Sequence, residues 1–405
     1  MLPTSVTFHR PSVREIYLGF CAFSVFRDLL SQPLFAHFIA YARTTAQKDD
    51  HLQLNEYGAF VGEIYRLGGN LTEAVRDMVF ESENVYVTRR AANEPVDEHL
   101  TMTLASELSI LSDFAALSPE DFRKDLAYEG YLPTFASEES ADLYAQYAQR
   151  VESVSTYGYG IFASHGMFRV SDDGEIEPIL SADPISLDSF VGYEEERKKV
   201  IENTLAFLRG KPAANVLLYG DAGTGKSSTV KAIANAFFDR GLRLIELRKD
   251  QLSALPDVMG KLRHNPLHFL IFIDDLSFRQ SDDNFSMLKA ALEGSASAKA
   301  KNAVIYATSN RRHIVKESIS EREEGDDLHR NDTVQETLSL SERFGLCVLF
   351  AKPNRNLYLD IVLELAKKNH LDYEDEWLKV EAEAFALRRG YRSARCAEQF
   401  IESLL

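Results

Sequence analysis

Gly220-Asp221-Ala222-Gly223-Thr224-Gly225-Lys226-Ser227-Ser228 is the stretch on which the reading of this chain turns. It fits the pattern G-x-x-x-x-G-K-[ST], and its flanks are those the pattern needs. Asn215-Val216-Leu217-Leu218-Tyr219 before it has the composition of a buried strand. Thr229-Val230-Lys231-Ala232-Ile233-Ala234-Asn235-Ala236-Phe237-Phe238 after it has the spacing of an amphipathic helix. Glycines let backbone N–H groups converge on an anion, and a helix N-terminus adds a favourable partial charge. In such a loop Lys226 reaches the β/γ-phosphates and the Ser227 hydroxyl ligates Mg²⁺. Residues 220–228 therefore predict a nucleoside triphosphate site.

A second stretch bears on hydrolysis. Phe269-Leu270-Ile271-Phe272-Ile273-Asp274-Asp275-Leu276 is an apolar run ending in two carboxylates. Such runs suit a parallel strand buried on both faces, and ligands of open α/β sheets sit beyond the carboxyl ends of the strands. Asp274 is then placed to organise Mg²⁺ through its water shell, and Asp275 to polarise the attacking water.

The frame is that of a globular protein with two or three domains: 405 residues, 45% hydrophobic and 26% charged. A formal charge of −17 argues against a large basic surface for nucleic acid. Cys21, Cys347 and Cys396 are far apart and form no CxxC pair, so neither a disulfide framework nor a zinc site is expected, and a reducing cytoplasm fits. The apolar run Ile16 to Phe26 is shorter than the roughly 18 residues of a membrane span. No small-residue cleavage site follows it. It reads as one helix of a soluble domain, with no membrane partner.

Residues 1–155 predict a mainly helical accessory domain, with three- and four-residue apolar spacing in Phe35 to Ala42 and Tyr57 to Tyr65. The period changes over 156–184. Gly160 to Ala163 and Met167 to Val170, followed by Ser171-Asp172-Asp173-Gly174, predict short strands and tight turns, a hairpin-like linker. From 185 to 352 strand and helix patterns alternate, which predicts a parallel sheet covered on both faces. Its further parts are the helix Glu194 to Arg209 and the strands Leu242 to Leu247 and Ala303 to Asn310, the last ending in polar residues on the ligand side. A small helical lid is expected over 353–405.

In this order the motifs resemble those of AAA+ ATPases. The resemblance implies a P-loop NTPase fold with a C-terminal helical lid, binding of ATP with Mg²⁺, hydrolysis to ADP and phosphate, and assembly into a homo-oligomer. Phe190-Val191-Gly192 resembles the segment near the adenine, which gives Val191 and Gly192 a binding role. Gly220 to Ser228 matches Walker A, with Ser227 on the metal. Ile271 to Asp275 resembles Walker B, although many members carry Asp-Glu where this chain has Asp274-Asp275. Asn310 matches sensor 1. Arg343, in Ser339-Leu340-Ser341-Glu342-Arg343-Phe344-Gly345, resembles the arginine finger that a neighbouring subunit inserts. Sensor 2 falls on Arg395, aligned through Ser393-Ala394-Arg395, or on Arg392.

A narrower resemblance is to the bacterial ATP-binding proteins grouped as domain of unknown function 815. Asn310-Arg311-Arg312-His313, Leu292-Glu293-Gly294-Ser295 and the acidic stretch ending at Gly345 carry it. It implies no particular substrate. Peptide-threading members of the superfamily carry an aromatic loop before Walker B, and here Leu247-Arg248-Lys249-Asp250-Gln251-Leu252 has no aromatic residue. Arg311-Arg312-His313 reads as a solvated loop, as does the acidic run Glu317 to Asp332. Two functions remain open. One is a motor that assembles into a ring and remodels or loads a protein or nucleoprotein partner; the other is a slow ATP-dependent switch or loader resembling helicase loaders, with a partner bound by the helical N-terminal domain.

Overall fold

The computed structural model describes residues 11–45, 50–126, 128–138, 142–181, 184–279, 283–293, 300–310, 315–316 and 343–405. The segments Arg311 to His313, Gly294-Ser295 and Glu317 to Asp332 lie outside these. The chain divides into two compact units, Met1–Ser164 and His165–Leu405.

The first unit is helical among its described residues, and its core is aromatic. Phe20, Phe35, Phe38, Phe60, Phe114 and Phe122 are fully buried. Phe38 and Phe114 stand 4.6 Å apart and Phe20 and Phe114 5.2 Å, in tilted and edge-on contacts that ring quadrupoles favour. The apolar run Ile16 to Phe26 is not one helix, since the helix Val13–Cys21 stops inside it. The buried Glu107 carboxylate accepts hydrogen bonds from the N–H groups of Ser24 at 2.6 Å, Val25 at 3.1 Å and Phe26 at 2.8 Å. Amides held by a carboxylate cannot continue a helical ladder. Residues 161–164 are likewise a helical turn, Ile161–Ser164, rather than a strand. Gly158 and Gly160, at φ 72° and 58°, turn the chain there.

The second unit holds strands β1 (Met167–Val170), β2 (Ile176–Pro178), β3 (Val216–Gly220), β4 (Leu242–Glu246), β5 (His268–Ile273), β6 (Phe278–Arg279), β7 (Ala303–Ser309), β8 (Val315–Lys316) and β9 (Leu346–Phe350). Seven of them form one sheet in the order β2-β1-β4-β5-β7-β3-β9, and β6 pairs with β8 separately. Every neighbouring pair in the large sheet is parallel except the β1–β2 hairpin. That hairpin extends the sheet edge, because β1 pairs in parallel with β4.

Continuous apolar strands suit a sheet covered on both faces, and Leu270, Ile271, Ile273, Leu217, Leu218 and Tyr306 are at most 1% exposed. Each such side chain contributes about 1.5–3 kcal/mol by its burial. The helix Glu194–Leu208 is tied to the sheet by Asn203, whose amide donates to the Tyr306 hydroxyl and the Ala214 carbonyl, both at 3.0 Å.

Lys249–Ala254, the stretch that follows β4, is a 3₁₀ turn with Gln251 and Leu252 buried. The Gln251 amide donates to the Val170 and Ser171 carbonyls at 3.0 and 3.1 Å. The segment is packed onto the β1–β2 hairpin.

Three helices close the chain: Arg355–Lys368, Asp375–Arg389 and Ala394–Glu402. They share a core of Tyr358, Val362, Ala382, Ala397 and Phe400.

β3 ends on Gly220 at φ 133°, where a Cβ would stand 2.1 Å from the Phe350 carbonyl oxygen on β9. Neither the backbone conformation nor the space admits another residue. Gly220→Ala is therefore expected to cost more than about 2 kcal/mol of stability. Gly260, in the helix Leu255–Leu262 with open space around its Cα, is the contrast. Gly260→Ala should stabilise by about 0.5–1 kcal/mol. Urea unfolding of the two variants checks both signs.

Candidate functional site

Parallel strands deliver their carboxyl ends to one edge of the sheet, and there β3, β5 and β7 place the residues the motifs select. Pairing of Tyr219 with Ser309 and of Ile273 with Ala307 sets the phosphate loop, the two acids and Asn310 side by side.

Lys226 opens the helix Lys226–Ala236 and is 6% exposed. Its ammonium uses all three protons. It donates to the Gly220 carbonyl at 3.0 Å, the Asp221 carbonyl at 2.7 Å and Asn310 Oδ1 at 3.1 Å. Burial pushes its pKa below the ordinary lysine value, opposed by the charges of Asp221, Asp274 and Asp275.

Asp274 Oδ1 accepts from the Ser227 hydroxyl at 2.6 Å, from the Thr308 hydroxyl and from the Asp275 N–H at 3.1 Å. Asp275 stands at φ 49°, a left-handed conformation uncommon for any residue with a side chain. Asp275 Oδ1 accepts from Asn310 Nδ2 at 2.8 Å. Asn310 thus bridges Lys226 and Asp275 with the two ends of one amide.

These groups line a cavity of about 280 Å³. Its walls include Ala222 to Ser228, Asp274, Asp275, Thr308, Asn310, Val191 and Arg395. Apolar surface comes from Phe190, Ile361 and Leu365, and the Arg197 guanidinium lies over the Phe190 ring at 5.1 Å. Burial lowers the Arg197 pKa, with Glu194 and Glu196 opposing. Glu398 also lines the cavity, its carboxyl raised by burial, then by Glu402, against the pull of Arg395.

Gly192, Gly220 and Asp221 are not among the described lining residues. Gly192, at φ 75°, faces Leu357 of the lid, where a Cβ would be 2.9 Å from its side chain. The Asp221 carboxylate accepts from the Lys352 N–H at 3.0 Å.

The lid reaches the loop directly. Arg395 N–H donates to the Gly223 carbonyl at 3.2 Å, and a Cβ on Gly223 would stand 3.0 Å from Ser393 Oγ. Ser393 caps the last helix by accepting from Cys396 N–H at 3.1 Å. Arg392 instead turns into the lid. It donates to both oxygens of Glu383, at 2.9 and 3.0 Å, and holds that carboxyl below its usual range.

Arg343 is also not among the lining residues. It precedes β9 on the side where β3 begins, whereas the phosphate loop follows the end of β3. The length of the strand, roughly 15 Å at the usual rise, separates the two ends.

The donor set fits a triphosphate with Mg²⁺. Gly223 and Gly225, at φ 74° and 84°, curl the loop over the start of a helix. Asp274 and Ser227 offer one carboxylate and one hydroxyl, the oxygen donors that a Mg²⁺ carried by phosphates and water needs. Thr308, Arg197 and Glu398 are site residues that the motifs do not name. Thr308 had a signal in the polar strand end Thr308-Ser309-Asn310; Arg197 and Glu398 lie on helices where only the folded geometry brings them to the cavity.

A sheet core ordered β4-β5-β7-β3-β9, a phosphate loop after β3 and a helical lid against that loop define a P-loop ATP-binding fold of the AAA+ type. The chain belongs to the family described as protein of unknown function DUF815, whose model matches residues 163–405. A curated relative, the replication factor C large subunit of Staphylothermus marinus, is 32% identical over 81 residues, 20% of this chain. The chain spans 18% of the length of that protein. Solved structures of Thermotoga maritima RuvB are also similar. One titled as a Holliday junction branch migration motor has 16% identity, covers 55% of this chain and 72% of that one, and has a TM-score of 0.33. A RuvB variant has 16% identity, the same coverage and a TM-score of 0.34. Among the described residues no helix is long and apolar enough to cross a membrane.

The two arginines near the last helix should separate experimentally. Arg392→Ala breaks the Glu383 pair and is expected to lower the melting temperature with little change in ATP affinity. Arg395→Ala is expected to keep the melting temperature and to weaken ATP binding or turnover several-fold. Thermal melts and ATP titration of both variants read this out.

Proposed function

We propose that this protein is a Mg²⁺-dependent ATPase that works as a homo-oligomer and uses ATP hydrolysis to remodel or load a protein or nucleoprotein partner held by its helical first unit. The observation that carries the hydrolytic reading is the hydrogen-bonded chain Lys226–Asn310–Asp275 beside the Ser227–Asp274 pair. Lys226 binds the β/γ-phosphates, exchanging part of its present set of acceptors for them. Asp275 accepts a proton from, or orients, the attacking water, and Asn310 holds that water beside it. Ser227 and Asp274 would hold Mg²⁺, which would stabilise negative charge on the phosphate oxygens. Arg395 reports the phosphates to the lid through its contact with the loop.

Arg343 serves the site of a neighbouring copy. Its place at the far end of β9 from the chain's own phosphate loop supports this, since an arginine there meets a transferred phosphoryl group only in trans. A slow ATP-dependent switch is the second reading. The lack of an aromatic residue from Leu247 to Leu252 favours it over a peptide-threading motor. Steady-state turnover with and without DNA or unfolded protein separates the two. Strong stimulation supports the motor; slow turnover with ATP-dependent partner capture supports the switch.

Lys226→Ala removes a charge-assisted contact of about 1.5–3 kcal/mol, so ATP should bind roughly 10- to 150-fold more weakly and turnover should vanish. Asp275→Asn should keep MgATP binding and lose roughly 10²-fold in turnover. Wild-type turnover in either variant would contradict the reading.

If Arg343 acts in trans, hydrolysis rises with protein concentration, and Arg343→Ala binds ATP yet hydrolyses it poorly. Mixing Arg343→Ala with Lys226→Ala should restore part of the activity, because some interfaces then pair an intact loop with an intact arginine. A fully active, concentration-independent monomer would overturn the trans arrangement.

A further inference from the structure

We infer that Thr308 is the positioning residue that holds Asp275 in its reactive orientation; this rests on the proposed hydrolytic role of Asp275. Thr308 is 2% exposed and follows Ala307, the partner of Ile273 in the β5–β7 ladder. It grips Asp275 from both sides. The Thr308 hydroxyl accepts from the Asp275 N–H at 3.0 Å, and the Thr308 carbonyl accepts from the Leu276 N–H at 2.7 Å. The peptide groups flanking Asp275 are therefore both tied to one residue of the neighbouring strand.

That double tie coincides with the φ of 49° at Asp275. A conformation of this kind persists where its surroundings over-determine it. The hydroxyl also has a single proton, and it donates that proton to Asp274 Oδ1. One side chain thus fixes the carboxylate assigned to the metal and the backbone of the carboxylate assigned to the water. The Asp275 N–H is shared between that hydroxyl and Asp274 Oδ1, at 3.0 and 3.1 Å, so the hydroxyl helps to set the relative placement of the two acids; orientation errors of about 1 Å in such a pair cost of the order of 10²-fold in rate.

The backbone tie survives any substitution, so the hydroxyl is tested by a nearly isosteric change. Thr308→Val keeps the shape and the carbonyl and loses both side-chain bonds. The full chain is assayed for ATP hydrolysis, with MgATP binding followed by equilibrium titration and folding by thermal melting. The expected result for Thr308→Val is a fall in kcat of at least about 10-fold, with MgATP affinity within about 2-fold of wild type. Thr308→Ser, which restores the hydroxyl without the methyl group, should recover most of kcat.

Normal kcat in Thr308→Val while Asp275→Asn is impaired would overturn the role of Thr308 alone. A Thr308→Ser variant as slow as Thr308→Val would overturn it too, since the methyl group would then be what matters. Loss of affinity in parallel with kcat would mark general damage to the site and overturn it as well. A wild-type chain without hydrolysis, or an unimpaired Asp275→Asn, would remove the proposed function and this inference together.

Discussion

The register of three parallel strands is the constraint on which the site depends. β5, β7 and β3 are locked by pairs such as Ile273 with Ala307 and Leu218 with Thr308. Every side chain at the carboxyl edge inherits its place from that ladder. A slip of one residue would reverse the faces of a strand and carry Thr308 away from Asp275. Burial of Leu270, Ile271 and Ile273 makes such a slip costly, so the apolar runs that build the core also fix the geometry of the acids.

The edge so formed concentrates opposed charges in a small volume. Lys226 is buried among two backbone carbonyls and an amide oxygen, and three carboxylates act on it from nearby. The hydrogen bonds of the ammonium and the nearby carboxylates offset part of the desolvation penalty of this buried charge, and burial still holds its pKa below the ordinary lysine value. Bonds to neutral carbonyls are weaker than bonds to phosphate oxygens. The Lys226 ammonium is therefore partnered as it stands and still has something to gain from an anion.

Much of this was legible from residue order, and the exceptions have physical causes. The phosphate loop, the β5 strand with Asp274 and Asp275, and the β7 strand before Asn310 are local patterns, and each is an element in the structure at nearly the predicted bounds. The helix stop at Cys21 was not legible, because its cause is Glu107, more than 80 residues away. The strand pattern over 160–163 misled because four apolar and small residues between turns suit a helical turn as well as a strand. In the cavity, Arg197 and Glu398 carry no motif; they reach it because their helices pack where they do. The tie between Thr308 and the acids is similarly invisible in a one-dimensional reading, since it joins positions about 33 residues apart.

The lid contact gives the proposed activity a route out of the active site. A backbone bond from Arg395 to Gly223 and the close approach of Ser393 join the last helix to the loop that would wrap the phosphates. That helix is held in turn by the lid core, where Cys396, Ala397, Phe400 and Ile401 are buried. A change in the loop on loss of a phosphate therefore acts on a packed three-helix body. Packed bodies move as units, because their interiors resist gradual deformation. In the proposed reading the free energy of hydrolysis appears as a difference in lid position between ATP and ADP states. Its size is bounded by how differently the loop contacts the lid in the two. The conformational output is then written into the contact at Gly223, where the absence of a side chain lets the two backbones meet.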